Sequence, residues 1–320
     1  MTDHNSWVPT ASPKIIKKRA EMLQTIREFM RHHKVLEVET PVLCNSTVTD
    51  PHIESLSSKI HIGDNQAGKT FYLQTSPEYA MKRLLASGIG AIYQITRVFR
   101  DMESGKVHNP EFTLLEWYQP GYDHHGMMKA VEKLLSKFGF EHCDYYSYAD
   151  IFKSHTGINP HLVENNELLK LSNLLGLHTE NHERAFMLDF IFNKQIASNL
   201  KSDKPVFIYD YPECMSALAR LSGDPPRAER FEVYINRIEI ANGYNELCDV
   251  NEQKKRFEIN REYRQQNGMQ NYEIDTRFIN ALEHGMPACA GVAIGLDRLL
   301  MITTKSDDIR DVLTFPFDVA

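Results

Sequence analysis

Arg100 closes one alternating segment, Ala91 to Arg100, and a polar loop separates it from a second, Phe112 to Gln119, which carries Glu116, Trp117 and Tyr118. Two alternating runs on either side of a loop read as the limbs of a hairpin. That places one cation at the tip and an acid with a tyrosine on the return limb. A guanidinium can grip a phosphate through two parallel charge-assisted hydrogen bonds, which an ammonium cannot do. The carboxylate farther along asks for a substrate with a positive charge. Phosphate at one end and an amine at the other outline a site that activates an amino acid with ATP.

Four further groups could do chemistry, and each also has a plainer reading. Gly291-Val292-Ala293-Ile294-Gly295-Leu296-Asp297-Arg298 is a glycine-containing junction of strand and helix, a common feature by itself. Glu37-Val38-Glu39-Thr40-Pro41 reads as a strand end halted by proline. In Thr75-Ser76-Pro77-Glu78, Ser-Pro-Glu is a good helix start, with Glu78 favoured by the helix dipole. Glu239 and Glu246 flank Asn242-Gly243, which reads as a bend. Magnesium takes few carboxylates together with phosphate oxygens and water, so such a pair suits an ATP site. The pairs His32-His33 and His124-His125 show no ligand spacing and are read as helix-end and loop residues.

The elements that must position these groups follow from period and punctuation. Ser12-Pro13 caps a helix whose apolar positions Ala20, Leu23 and Met30 carry it to about His33. Val35 to Val38 and Phe71 to Gln74 read as strands, with a polar loop over residues 60 to 70. A helix is expected from Ser76-Pro77 to about Ser87-Gly88, and another through the stripe Met127, Met128, Val131, Leu134, Leu135 and Phe138, which reads as core. Residues 140 to 205 read as several helices with polar links and no chemistry. Strands resume at Val206 to Tyr209, Phe231 to Ile235 and Ile238 to Ala241, with Asn236-Arg237 as a turn. Asp249 with Glu252 starts a charged helix to about Gln266, and another runs from Asp275 to His284. Strands paired as neighbouring hairpins, with helices grouped around them, predict an α+β fold on an antiparallel sheet. One domain with a helical insertion near 140 to 205 is expected.

The chain has 320 residues, 42% of them hydrophobic, enough for a sizeable core. Its net charge of -7 disfavours a free-standing nucleic-acid binder. Five scattered cysteines, without a Cys-x-x-Cys pair, argue against a zinc site or redox dithiol and for free thiols in a reducing compartment. With no leader and no membrane-length apolar run, a cytoplasmic protein is expected.

The run Phe99-Arg100, then His108-Asn109-Pro110-Glu111-Phe112-Thr113-Leu114-Leu115-Glu116-Trp117-Tyr118, resembles motif 2 of the class II aminoacyl-tRNA synthetases, especially the lysyl enzymes. Gly291 to Arg298 resembles motif 3, and Glu37 to Pro41 motif 1 of the dimer interface, in the family's order. The resemblance covers nearly the whole chain and implies a class II catalytic domain that forms an aminoacyl-adenylate from ATP. It implies catalytic roles for Arg100 and Arg298. Nucleotide contacts are implied for Asp101, Met102, His108, Asn109, Phe112, Glu239, Ile240 and Gly295, and magnesium at Glu239 and Glu246. For the amino acid it implies Ser76, Glu78, Glu116, Tyr118, Glu246 and Ala293, with Glu78 taking the proximal amine and Glu116 with Tyr118 the ε-ammonium. The family usually continues Phe-Arg with Asn-Glu, whereas Asp101-Met102-Glu103 stands here, so an adenine contact passes to Glu103 or to backbone.

The catalytic pattern starts within about the first fifteen residues, so no anticodon-reading domain is expected. The chain therefore resembles the truncated lysyl-synthetase paralogues that attach (R)-β-lysine to a lysine of elongation factor P. Ala293, where lysyl-tRNA synthetases usually carry glycine, fits a changed amine position, since one methyl is worth ~1–3 kcal/mol of discrimination. A homodimer with a protein acceptor and no tRNA is expected, guided by a basic patch that includes Lys82 and Arg83. A truncated lysyl-tRNA synthetase, a ligase of a small amine and a non-catalytic regulator are the alternatives.

Overall fold

The computed structural model describes residues 7–61, 63, 68–178, 183–200 and 203–320. Helix α1 (Pro13–His32) begins as its sequence dictates. Ser12 accepts a hydrogen bond from the Ile15 amide, Pro13 occupies the first turn, and Met22, Ile26, Phe29 and Met30 form the buried stripe. Strands β1 (Leu36–Glu37), β2 (Leu43–Cys44), β3 (Ser57–Ile60) and β4 (Lys69–Leu73) follow. Of the loop read over 60 to 70, residues 62 and 64–67 lie outside the described residues, and Ile60, Lys69 and Thr70 belong to β3 and β4. Helix α2 (Glu78–Ala86) leads into the hairpin limbs β5 (Ile92–Phe99) and β6 (Glu111–Pro120).

Next come α3 (His124–Ser136), β7 (Asp144–Ser147), α4 (Tyr148–Thr156), α5 (Asn165–Leu174) and α6 (Arg184–Gln195). Strands β8 (Val206–Pro212), β9 (Leu221–Ser222), β10 (Arg227–Ile235) and β11 (Ile238–Asn245) precede α7 (Val250–Gln266) and α8 (Thr276–His284). The chain closes with β12 (Cys289–Gly295) and α9 (Leu296–Thr304). Asp249 and Asp275 cap α7 and α8 through their carboxylates, as expected, and Asn236 and Arg237 both adopt positive φ in the β10–β11 turn.

The chain forms two compact units. The first comprises Met1–Pro120, Cys248–Ala288 and Ala293–Ala320. In it β5 pairs antiparallel with β6, from Ile92 opposite Tyr118 to Phe99 opposite Glu111, while β1 lies parallel to β5. Residues Thr113 to Tyr118 are buried on both faces of β6. Alternation sends Trp117 toward Phe29 of α1 and puts Phe112, Glu116 and Tyr118, all at even spacing, on the opposite face. A smaller sheet, β2-β4-β3, stands beside this ladder in the chain order.

The second unit comprises Gly121–Leu247 and Cys289–Val292. Its strands run β11-β10-β8-β7, with β9 also on β10. The segment read as helices with links contains one strand, β7, which pairs parallel with β8. Parallel neighbours need a long crossover, and α4 to α6 supply it, burying Tyr148, Phe152, Ile191 and Phe192 against Val206, Ile208 and Tyr211. The purely antiparallel expectation is thus corrected at β1–β5 and β7–β8, while the smaller β2-β4-β3 sheet is antiparallel throughout. Strands of two and four residues are too short for their pattern to reveal a partner's direction. The fold class, α+β, stands.

Candidate functional site

The hairpin of the first unit carries both ends of the expected site. The Arg100 amide donates to the Pro110 carbonyl at 2.9 Å, and that of Asp101 to the Glu54 carbonyl at 3.0 Å, so backbone on both sides holds the tip. The Arg100 side chain donates to the Thr75 carbonyl at 3.4 Å, and its guanidinium lies 5.1 Å from the Phe112 ring centre. Glu103 lies 3.5 Å from Arg100, whereas Met102 has φ 62° and a side chain 86% exposed. Of these two residues, Glu103 is therefore the one turned inward. Asp101 accepts from the Met102 amide at 2.8 Å, a tight turn closed on itself.

At the other end Glu116 is only 2% exposed. Ser76 Oγ donates to its carboxylate at 2.8 Å and Tyr118 Oη at 2.7 Å. Burial, and next the charge of Glu78, push the Glu116 carboxyl up to about 7. Ser76 also accepts from the Glu78 amide at 3.0 Å, so one hydroxyl starts α2 and orients Glu116. The reading of Ser76-Pro77-Glu78 as a helix start holds.

Lys82 was missed as part of this cluster. It was expected on a surface patch, yet its side chain is fully buried, pairs with Glu78 one turn back and lies 5.9 Å from the Phe278 ring centre. Its i+4 spacing from Glu78 was the available signal. Arg83 is exposed as expected.

The motif-3-like segment meets the hairpin loop. Arg298 donates to the Val107 carbonyl at 3.1 Å and lies 2.7 Å from Nε2 of His108. Burial, then the Arg298 charge, lowers the His108 pKa, so its ring stays neutral and Nε2 accepts from the guanidinium. Asp297, 2% exposed, accepts from the Thr113 amide at 2.7 Å and pairs with Arg19, joining α9 to β6 and α1. Sequence reasoning left Asp297 without a role; it fixes the helix that presents Arg298. Asn109 is used at both amide ends, donating to the Glu111 carbonyl at 2.7 Å and accepting from the Phe317 amide at 3.1 Å. Ala293 and Gly295 are half-buried on β12 in the same unit.

Glu239, Ile240 and Glu246 belong to the second unit. The expected Asn242-Gly243 bend is absent, because β11 runs straight through it. Gly243 is needed for space. A Cβ there would stand 2.5 Å from the Phe231 ring and 2.7 Å from the Gly291 carbonyl. Glu239 and Glu246 come to one face for another reason. Seven residues apart, they would point to opposite faces of a regular strand. The register breaks at Ile240, with Glu239 opposite Tyr234 and Ala241 opposite Val233. This bulge flips the alternation. Glu239 then shares a face with Asn242 and Tyr244, and continued alternation brings Glu246 there too. Glu239 accordingly acts electrostatically on Arg230 and Tyr234 of the facing strand. Hard carboxylate oxygens on one face are a donor set that fits magnesium.

The model for tRNA synthetases class II (D, K and N) matches residues 4–319. The chain belongs to this class II synthetase family. Among its class II relatives, the elongation factor P–(R)-β-lysine ligase of Histophilus somni (strain 2336) is 43% identical over 323 residues, covering 100% of both chains. The ligases of that name from Avibacterium paragallinarum and Haemophilus influenzae (strain PittGG) are 42% and 41% identical, again over 100% of both chains. The hairpin with Arg100 and the β12–α9 junction with Arg298 lie in one unit.

Proposed function

We propose that this chain activates (R)-β-lysine with ATP as an aminoacyl-adenylate and transfers it to a lysine side chain of elongation factor P. The observation that carries the reading is the buried Glu116 with its two hydroxyl donors, on the face that also bears Phe112 of the Arg100 tip. That is an acid for an ammonium and a guanidinium for a phosphate on one hairpin. End-to-end similarity to relatives named for this ligation supplies the substrate and acceptor.

In the first step the amino-acid carboxylate attacks the α-phosphorus, forming a mixed anhydride and expelling pyrophosphate. Arg100 and Arg298 offset charge developing on the phosphate, the preorganised electrostatics that dominate phosphoryl and adenylyl transfer. Glu239 and Glu246 would hold magnesium, which when bound neutralises charge on the phosphates. Phe112 would stack on adenine, with His108, Asn109, Gly295 and backbone of Asp101 and Met102 around the nucleotide. Glu78 takes the amine nearest the carboxylate, while Glu116 and Tyr118 take the terminal ammonium, with Ser76 and Ala293 of the same unit. In the second step a neutral lysine amine of the acceptor attacks the carbonyl and AMP leaves.

Self-association through Glu37 to Pro41 as a two-fold dimer is part of the proposal. So is a cytoplasmic location, which suits five cysteines held outside disulfides. Among the described residues no helix is long and apolar enough to cross a membrane.

The test is ATP–pyrophosphate exchange across lysine isomers, followed by transfer to purified elongation factor P or to lysine tRNA. Preference for (R)-β-lysine and modification of the protein are expected. Charging of the tRNA at an equal or faster rate overturns the assigned acceptor in favour of a tRNA synthetase.

A further inference from the structure

His124, His125 and Asp210, all in the second unit, form a side-chain cluster outside the adenylate chemistry. Their ligand atoms lie within 4.8 Å of one another. The two histidines open the first turn of α3, where they were expected in a loop, and Asp210 sits inside β8. His124 is 5% exposed, and its Nε2 lies 3.0 Å from Asp210 Oδ1. The His125 ring lies 4.1 Å from that of His124 and 5.2 Å from that of Tyr209, and its side chain is exposed.

Backbone geometry aims the carboxylate. Asp210 has φ 58°, a left-handed conformation that a non-glycine residue rarely adopts, and it lies where the β8–β10 register breaks. Tyr209 and Tyr211 would share a face in a regular strand. Here Tyr209 meets His125, whereas Tyr211 enters the core beside Tyr148. The irregularity turns Asp210 toward the start of α3, the kind of re-aiming for which strand breaks are retained near functional groups.

We propose that His124, His125 and Asp210 form a site for a divalent transition metal of the zinc class. Two imidazoles and one carboxylate are a donor set that such ions favour over magnesium. Bonds of about 2.1 Å to two atoms 3.0 Å apart subtend an angle of about 90°. The His124–Asp210 pair is therefore already spaced for one ion, and the exposed His125 closes the third position by rotating inward. Nδ1 of His124 is buried and has no hydrogen-bond partner among the described residues. The Asp210 carboxylate, which only accepts, holds the ring's proton on Nε2, and moving it to Nδ1 so that Nε2 can ligate breaks no bond at Nδ1. Arg227, 3.5 Å from the other Asp210 oxygen, opposes a cation. Its side chain is 44% exposed and can turn to solvent. The remaining coordination positions are left to water, and the ion would clamp α3 to β8.

The experiment titrates the full-length protein with Co2+ in excess Mg2+, following visible absorption, then displaces it with Zn2+ and records thermal unfolding with and without Zn2+. One Co2+ per chain is expected, displaced by Zn2+, with unfolding shifted upward. His125→Ala, which alters only an exposed ring, should weaken Co2+ binding at least ~10-fold and abolish the shift. Asp210→Asn should do the same; if it fails to fold, His125→Ala decides alone. Equal affinity in the wild type and His125→Ala, or several equivalent weak sites, would show adventitious binding only and overturn the proposal.

Discussion

The β5–β6 hairpin and the β10–β11 pair are both antiparallel ladders that carry acids, but their alternation behaves differently. The first ladder is unbroken from Ile92–Tyr118 to Phe99–Glu111, so the even spacing of Phe112, Glu116 and Tyr118 puts them on one face. The second skips Ile240, so the odd spacing of Glu239 and Glu246 also ends on one face. Period two reads a site directly only where every residue has a partner; one extra residue reverses the rule beyond it.

The largest effect expected on the regular ladder is that of Arg100→Ala. Removing a preorganised charge from the phosphate should cost at least ~10²-fold in pyrophosphate exchange. Near-wild-type exchange would leave Arg100 as no more than a strand end.

Glu116→Gln leaves the ladder intact while replacing a charge-assisted bond to the ammonium with a neutral one. The KM for the lysine substrate should rise about tenfold or more, with little change for ATP. Equal losses for both substrates would make Glu116 structural. The same carboxyl sets a pH dependence. Its pKa of about 7 means that below pH 7 it protonates and the ammonium loses its partner, so the substrate KM should climb on acidification. In Glu116→Gln that slope should vanish. For stability the sign is opposite. The folded chain retains a proton that an unfolded glutamate, with its pKa of 4.5, releases, so stability falls as pH rises from 4.5 to about 7.

Gly243→Ala tests the broken ladder through packing. Its Cβ must displace the Phe231 ring or strain backbone against Gly291, and overpacking of this kind costs about 1–3 kcal/mol. A lowered unfolding midpoint is expected, and an unchanged midpoint would mean that β11 yields there easily. The smallest effect should come from Met102→Ala at the hairpin tip. With its side chain 86% exposed, the KM for ATP should stay within about twofold. A tenfold rise would place the thioether against the nucleotide.

Most of the elements could be read in the chain because their signals are local. Ser12-Pro13, Asp249 and Asp275 start helices by bonding amides two or three residues away, and α1 and α3 show their buried stripes within a few turns. The hairpin bearing Arg100 and Glu116 was legible for the same reason, since strand alternation is a property of neighbours.

What tertiary structure alone decided depends on partners distant in sequence. Lys82 looks like a surface lysine until α2 is laid against α8 and its ammonium is enclosed beside Glu78 and Phe278. Asp297 gains its role from Arg19 and Thr113, residues far off along the chain. Glu116 titrates near 7 only because folding removes it from water and sets Glu78 beside it. The breaks at Ile240 and Asp210 exist only as mismatches between paired strands, so a single strand's residues cannot announce them. Residue types and short spacings thus specified which groups could react, whereas burial and strand register, which arise from long-range packing, determined their charge and the faces on which they meet.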